Sequence, residues 1–246
     1  MTEMTIGHLR TGCDAGCASA VARVLEAHEV EVAFLDLDRD ERAAALAAGR
    51  VDLLVSAWMP RDLGLAGSGA RVIGGLYRPS YVWAFTGALP AGQALLSHAG
   101  TLDVARIITT PDLEERLSAL LGTDAVGGCR ASVELCEPDA LHDRVRHAVA
   151  QGERAIVAVE QPHAIFHDAG FSVLEDPAGA LGGEMEARMI LGPEAARECE
   201  PDLLDELDEM MLGNKVMSAL DHAITVDDMD PEDAAEAWQR GRLLPR

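Results

Sequence analysis

Strand-like and helix-like segments alternate along the first third of this 246-residue chain, and this alternation restricts the fold more than any other feature. Short apolar runs with the length of strands are separated by segments whose apolar residues recur at helical spacing. The predicted strands cover residues 5–8, 30–37 and 51–58, and the predicted helices cover 18–28 and 39–48. This order is typical of a parallel sheet with helices on its faces. The sequence therefore predicts an α/β fold with a doubly wound sheet.

A second alternating series begins near residue 105 and is followed by a helical tail. Its predicted strands cover 105–110, 133–136 and 155–159, its helices cover 111–121 and 139–150, and the tail consists of helices at 194–213, 215–225 and 231–240. Two such series predict two lobes, one formed by residues 1–87 plus 187–246 and the other by residues 88–186. A cleft between lobes is a common ligand site.

Charge and hydropathy exclude two classes of partner. The formal net charge is −22, and such a field repels a phosphate backbone, so we predict no nucleic-acid binding. No run of about 18 apolar residues occurs, so we predict no membrane span. The first seven residues lack the basic region and apolar core of a signal peptide. A cytoplasmic protein and an exported one whose leader is missing both stay open.

The motifs of common enzymes do not occur, and the cysteines do not have the spacing of a metal site. Five scattered cysteines without a Cys-x-x-Cys pair indicate neither a disulfide scaffold nor a metal site. The glycine-rich and nucleophile motifs of nucleotide-binding and hydrolytic enzymes are missing, so we predict no enzyme activity and no cofactor. A thiol-dependent enzyme is a minor alternative, because Cys13 or Cys17 near a helix start could have a lowered pKa.

Two segments supply candidate ligand-binding residues. The run VDLLVSAWMP at 51–60 predicts a buried strand that ends at Trp58, and an indole at the carboxyl end of a strand can offer its face to a cation. A core position is the alternative for Trp58. The run GCDAGCAS at 12–19 opens a predicted helix, where the amides of Gly16 and Cys17 could bind a carboxylate. A simple helix cap is the alternative there.

Four segments, in order along the chain, resemble the solute-binding proteins that deliver glycine betaine and related quaternary amines to ABC importers. They are SAWMP at 56–60, IGGLYRPSY at 73–81, the stretch 154–177, and PEDAAEAW at 231–238. Within 154–177 the matching residues are Pro162, His163, Phe166, Leu174, Glu175, Asp176 and Pro177. The resemblance implies a bilobed type II periplasmic-binding-protein fold and a small zwitterionic osmoprotectant-like ligand. It also implies an ABC permease partner if the protein is exported, and a periplasmic or cell-surface location.

The departures from the family pattern concern the cation end of the implied pocket. Glu160 and Ala164 stand where the family has two tryptophans, so the aromatic cage is reduced to Trp58, helped by Tyr81 or Trp83. Each lost aromatic face removes about 0.5–2 kcal/mol of cation binding.

Two of the matched positions then suggest which ligand is preferred. Glu160 could accept hydrogen bonds from a protonated amine, unless it is a solvated loop carboxylate. His163 matches a histidine that the family uses near its ligand. We expect weak glycine betaine binding and a preference for ligands with N–H donors, and a sensor of the same fold for another amine is the alternative function.

Overall fold

The structure, a computed structural model, describes residues 3–168 and 170–245. The chain divides into two compact units. The first comprises Met1–Pro79, Pro162–His167 and Met185–Arg246, and the second comprises Ser80–Gln161 and Asp168–Glu184. Each unit is built around its own five-stranded sheet, which confirms the predicted α/β class with two sheets. The predicted lobes, 1–87 plus 187–246 and 88–186, stay a prediction.

The strands and helices are numbered in chain order. The strands are β1 (Glu3–Leu9), β2 (Glu31–Leu37), β3 (Leu53–Met59), β4 (Arg71–Tyr77), β5 (Ser80–Phe85), β6 (Arg106–Thr109), β7 (Ser132–Leu135), β8 (Ala155–Gln161), β9 (Ser172–Leu174) and β10 (Glu186–Leu191). The helices are α1 (Gly12–Ala27), α2 (Arg42–Ala47), α3 (Glu114–Leu120), α4 (Pro138–Ala150), α5 (Ala195–Glu198), α6 (Pro201–Glu209), α7 (Asn214–Thr225) and α8 (Pro231–Gln239).

The sheet of the first unit has the order β2-β1-β3-β10-β4. Strand β1 pairs in parallel with β2 and β3, as the β-α-β-α-β pattern predicts. Strand β10 is antiparallel to both β3 and β4, so the sheet is mixed. An antiparallel strand in an otherwise parallel sheet is common in α/β folds, and β10 belongs to the segment Met185–Arg246 with which the chain re-enters the first unit.

The sheet of the second unit has the order β7-β6-β8-β5-β9. Strand β6 is parallel to β7 and β8, whereas β5 is antiparallel to β8 and β9. The three-residue strand β9 was not predicted, since so short a segment carries too few residues for an alternating pattern. Its backbone pairs with β5 from Trp83 to Phe85.

Helix α1 begins six residues earlier than the sequence pattern predicts, at Gly12 instead of residue 18. Thr11 is its N-cap, and the Thr11 hydroxyl oxygen accepts a hydrogen bond from the Asp14 amide at 3.0 Å. The periodicity rule missed this first part because glycine, cysteine and alanine there carry little apolar signal. The cap itself was visible in the sequence as Thr followed three residues later by Asp.

The predicted helix at 194–213 is in fact two helices, α5 and α6. Pro201 begins α6, and the preceding Glu200 is extended, with φ −63° and ψ 141°. A residue before proline is pushed out of the helical region, which explains the break. Among the described residues, none of the helices is both long and apolar enough to cross a membrane.

Candidate functional site

Trp58 lies at the carboxyl end of β3, as predicted, and is largely buried in the first unit. Its exposed fraction is 8%, and it belongs to the main hydrophobic cluster of that unit. The indole Nε1–H donates to the Tyr77 hydroxyl on β4 at 3.2 Å. The ring is therefore held in one orientation by packing on its body and by a hydrogen bond at its polar edge.

One face of the Trp58 ring carries a cation of the protein itself. The Arg61 guanidinium carbon lies 4.3 Å from the ring centroid, within the range of a cation–π contact. Two residues separate Trp58 from Arg61 in the sequence, and the Met59–Pro60 peptide bond between them is cis. The Trp58 ring thus contacts a cation of the protein itself, three positions along the chain, and its role in binding a ligand stays a prediction.

Asp62 fixes the turn that places Arg61 over Trp58. Its carboxylate accepts the Trp58 backbone amide at 2.9 Å, and it pairs with Arg61 and with the buried Arg42 of α2, each at 3.2 Å. Burial alone would raise the pKa of Asp62. The hydrogen bonds from Arg61 and the Trp58 amide, with the charges of Arg42 and Arg61, outweigh burial and hold that pKa below its usual range.

The start of α1 differs from the carboxylate site predicted there. Gly16 and Cys17 lie in the second turn of the helix, where amides point to the carbonyls of Gly12 and Cys13. Gly16 also packs closely, since a Cβ at that position would meet Ile224 and Leu220 of α7 at 3.0 Å. The reason for expecting these two amides to bind a ligand carboxylate is therefore wrong, and we leave both residues out of the proposed site.

Buried polar groups of the protein surround this helix start instead. Asp14 is buried, and burial raises the pKa of its carboxyl above the usual value, although the Thr11 and Ser56 hydroxyls partly oppose the shift. Ser56 lies in β3 with φ +55°, a backbone conformation that non-glycine residues adopt at a cost. Its hydroxyl is buried and makes no hydrogen bond of normal distance and angle.

The thiol of Cys17 is inert in this environment. Cys17 is fully buried, and burial raises the pKa of its thiol to about 12. A reactive cysteine needs a lowered pKa and access to solvent. Burial and the raised pKa therefore argue against Cys17 as the nucleophile of a thiol-dependent enzyme.

His163 lies in a short segment of the first unit that α7 holds by its backbone. The Ser218 hydroxyl accepts from the His163 amide at 3.3 Å, and the Asp221 carboxylate accepts from the Ala164 amide at 2.6 Å. The His163 Nδ1 accepts from the Ile165 amide at 3.2 Å. A neutral ring whose Nδ1 accepts carries its proton on Nε2, and an N–H donor is the group that a carboxylate-binding role requires; this role of His163 stays a prediction.

Asp221 also joins this segment to α1, because the Cys13 backbone amide hydrogen-bonds the same carboxyl group. Burial is the main cause that raises the pKa of Asp221 to about 7, and the nearby Asp14 raises it further, while the Ala164 and Cys13 amides lower it. Asp221 therefore changes its charge near neutral pH.

The remaining predicted residues lie in the second unit. Tyr81 and Glu160 are direct partners in the antiparallel pairing of β5 with β8, and both are partly exposed. Tyr81 carries the Arg116 guanidinium at 5.1 Å from its ring centroid. Trp83 is only 1% exposed in the core of this unit, and its Nε1–H donates to Asp176 at 3.3 Å. Trp83 has the contacts of a core residue, and we leave it out of the proposed site.

Several residues of the candidate site were not predicted from the sequence. Arg61 and Asp62 directly follow the Trp58-Met-Pro run, and a turn closed by an acidic side chain is a signal that could have found them. Tyr77 and Asp221 gave no such signal, because their roles depend on the pairing of β4 and on the packing of α7 against α1.

A family comparison relates the second half of the chain to a known class. Residues 123–240 match the OpuAC family, described as the substrate binding domain of ABC-type glycine betaine transport systems. No curated protein sequence matches the chain.

Solved structures match over nearly the whole chain at low identity. Lactococcal OpuAC with glycine betaine has a TM-score of 0.72 and 17% identity, covering 98% of this chain and 96% of that one. Apo YehZ from Escherichia coli has a TM-score of 0.74 and 12% identity, covering 98% of this chain and 99% of that one. ProX from Borrelia burgdorferi, a glycine betaine/L-proline-binding protein, has a TM-score of 0.71 and 14% identity, covering 96% of this chain and 92% of that one. At these identities the likeness concerns the fold. Together with the family match it confirms the resemblance predicted from the sequence.

Proposed function

We propose that this chain is the substrate-binding protein of an ABC importer and binds a small zwitterionic amine in the cleft that the family resemblance implies. The match of residues 123–240 to the substrate binding domain of glycine betaine transport systems carries the proposal. An importer of this class works with its binding protein outside the cytoplasm, so we propose an extracytoplasmic location and a permease partner.

The proposed ligand contacts come from residues whose local geometry suits a zwitterion. Trp58 supplies an aromatic face that already holds a guanidinium, and His163 supplies an Nε2–H donor for a carboxylate. In the second unit, Tyr81 adds an aromatic ring and Glu160 a carboxylate on the neighbouring strand. The Tyr81 ring beside the Glu160 carboxylate suits a protonated amine better than a trimethylated cation, because only the amine donates hydrogen bonds.

Thermal-shift screening tests the function directly. The panel is glycine betaine, choline, carnitine, proline, and unmethylated and partly methylated amino acids. A ligand at a hundredfold excess over its Kd stabilises the folded protein by about 2.7 kcal/mol, which gives a clear shift in Tm. A panel without a single binder would contradict the proposal.

Replacement of Trp58 by phenylalanine should weaken binding of the ligand found in that screen by about 1 kcal/mol, because phenylalanine is a poorer cation–π partner than tryptophan. Phenylalanine keeps much of the buried volume, whereas alanine would leave a cavity among core residues. Titration calorimetry measures the effect, with Trp83→Phe in the core of the second unit as the matched control. Equal affinities for Trp58→Phe and the wild type would remove Trp58 from the site.

Replacement of Glu160 by glutamine should weaken binding of ligands with N–H donors by about 1.5–3 kcal/mol, the range of a hydrogen bond to a charged group. Glycine betaine binding should change little, since its methyl groups donate no such bond. Calorimetric titrations of both ligand types measure the difference, with Glu115→Gln as a control that removes one charge from α3. Tight betaine binding that persists in Glu160→Gln would show that Glu160 does not select the ligand.

A further inference from the structure

The cation that covers Trp58 has a consequence for the choice of ligand. The side chain of Arg61 is 26% exposed, whereas Trp58 is 8% exposed and belongs to the core cluster. Arg61 is thus the more exposed of the two side chains, and its guanidinium occupies one aromatic face of the ring. A second cation on that face must displace the guanidinium or accept repulsion from it.

Several hydrogen bonds through Asp62 hold Arg61 in position, so its place over the ring does not depend on a single contact. Arg61 Nε donates to Asp62 Oδ1 at 3.2 Å. Asp62 is itself buried and fixed by the Trp58 amide and by Arg42. The Asp62 amide in turn donates to the Trp58 carbonyl at 2.8 Å. This closed turn keeps the guanidinium above the ring, so displacement of Arg61 costs a charge-assisted hydrogen bond as well as the cation–π contact.

We propose that Arg61 is a specificity-determining residue that excludes quaternary ammonium groups from the Trp58 face. This inference rests on the proposed function, in which Trp58 contributes to the ligand site. Exclusion by Arg61 acts in addition to the loss of the two family tryptophans, whose positions are occupied here by Glu160 and Ala164. A protonated amine can offset the repulsion by donating hydrogen bonds to a carboxylate acceptor, whereas a quaternary group cannot, and the ligand's anionic group is compatible with the guanidinium.

The first arm of the test needs no ligand and asks whether Arg61 covers Trp58. Acrylamide quenching of tryptophan fluorescence is compared in the wild type and in Arg61→Gln, each with and without Trp58→Phe. Quenching should increase about twofold or more in Arg61→Gln, and the increase should vanish when Trp58 is phenylalanine. Quenching that does not change in Arg61→Gln would overturn the inference, whichever ligand the protein binds.

The second arm measures selectivity by titration calorimetry with glycine betaine, choline and the binders from the unmethylated panel. Arg61→Gln should bind glycine betaine and choline about tenfold more tightly than the wild type, a change of about 1.4 kcal/mol. Arg61→Lys keeps the charge without the planar fork and should give a smaller gain. Arg50→Gln removes one exposed charge from the same unit and should leave the affinities for glycine betaine and choline unchanged.

The outcomes separate this inference from the proposed function. If an unmethylated ligand binds the wild type and Arg61→Gln gains no betaine affinity, the inference is overturned and the proposed function stands. If neither protein binds any member of the panel, the proposed function fails and the selectivity role of Arg61 fails with it. A tenfold gain restricted to the quaternary amines supports both.

Discussion

Replacing Asp221 by asparagine should remove a large part of the pH dependence of stability between pH 4 and pH 7. The pKa of Asp221 is raised by burial to about 7, from a usual value of 3.8. Within this interval the folded state keeps a proton that the unfolded state releases, so stability falls as pH rises. A difference of about 3 pKa units corresponds to about 4 kcal/mol, fully present below the unfolded pKa and lost above the folded one.

Urea denaturation at pH 5, 6, 7 and 8 measures this contribution. Wild type and Asp221→Asn should differ by an amount that changes by about 1 kcal/mol for each pH unit between 5 and 7 and levels off above the folded pKa. Asp208→Asn is the matched control, because Asp208 also accepts a backbone amide in the first unit, from Gly74 at 2.7 Å. Parallel stability profiles for the wild type and Asp221→Asn would show that Asp221 does not keep a proton to neutral pH.

The class of fold could be predicted from the sequence because apolar periodicity is a local property. The strand at 51–58 and the alternation around it predicted the parallel core of the first sheet, and the structure has β3 at Leu53–Met59. The antiparallel position of β10 between β3 and β4 could not be predicted in this way. Strand order depends on which distant segments pair, and a run of six apolar or mixed residues does not specify its partner.

The candidate site shows the same division between local and distant information. The position of Trp58 at a strand end was predicted, since the strand and the following proline are adjacent in sequence. The contact of the Arg61 guanidinium with the Trp58 ring was not predicted, although Trp58 and Arg61 lie in one short turn. The turn depends on Arg42 of α2, which supplies the buried charge that Asp62 neutralises, and only the folded structure brings these elements together.

Errors at the start of α1 have a specific physical cause. The sequence placed free amides at Gly16 and Cys17 because the helix was expected to begin near them. The capping hydrogen bond between Thr11 and the Asp14 amide moves the helix start upstream, and the first turns then contain the amides that lack intrahelical partners. One of these, the amide of Cys13, is taken by Asp221 of α7.

Replacing Asp62 by alanine should destabilise the protein more than any other single charge removal discussed above, by about 3–5 kcal/mol. Arg42 is only 3% exposed, and loss of Asp62 would leave its guanidinium buried without this partner. The buried Trp58 amide would lose its acceptor in the same variant. Asp62→Asn keeps an acceptor for that amide and should be less destabilising than Asp62→Ala.

A double-mutant cycle decides whether the loss of stability in Asp62→Ala arises from the buried Arg42 charge that is left without Asp62. Arg42→Met replaces the guanidinium by an apolar chain of similar length, and buried ion pairs exchanged for packed apolar residues are often tolerated. The double variant Arg42→Met with Asp62→Ala should therefore recover about 1–3 kcal/mol relative to the sum of the single effects, measured by urea denaturation at pH 7. Strict additivity would mean that Arg42 finds other compensation and that Asp62 acts mainly through the Trp58 amide. The outcome bears on the ligand site as well, because this turn holds Arg61 in position over Trp58.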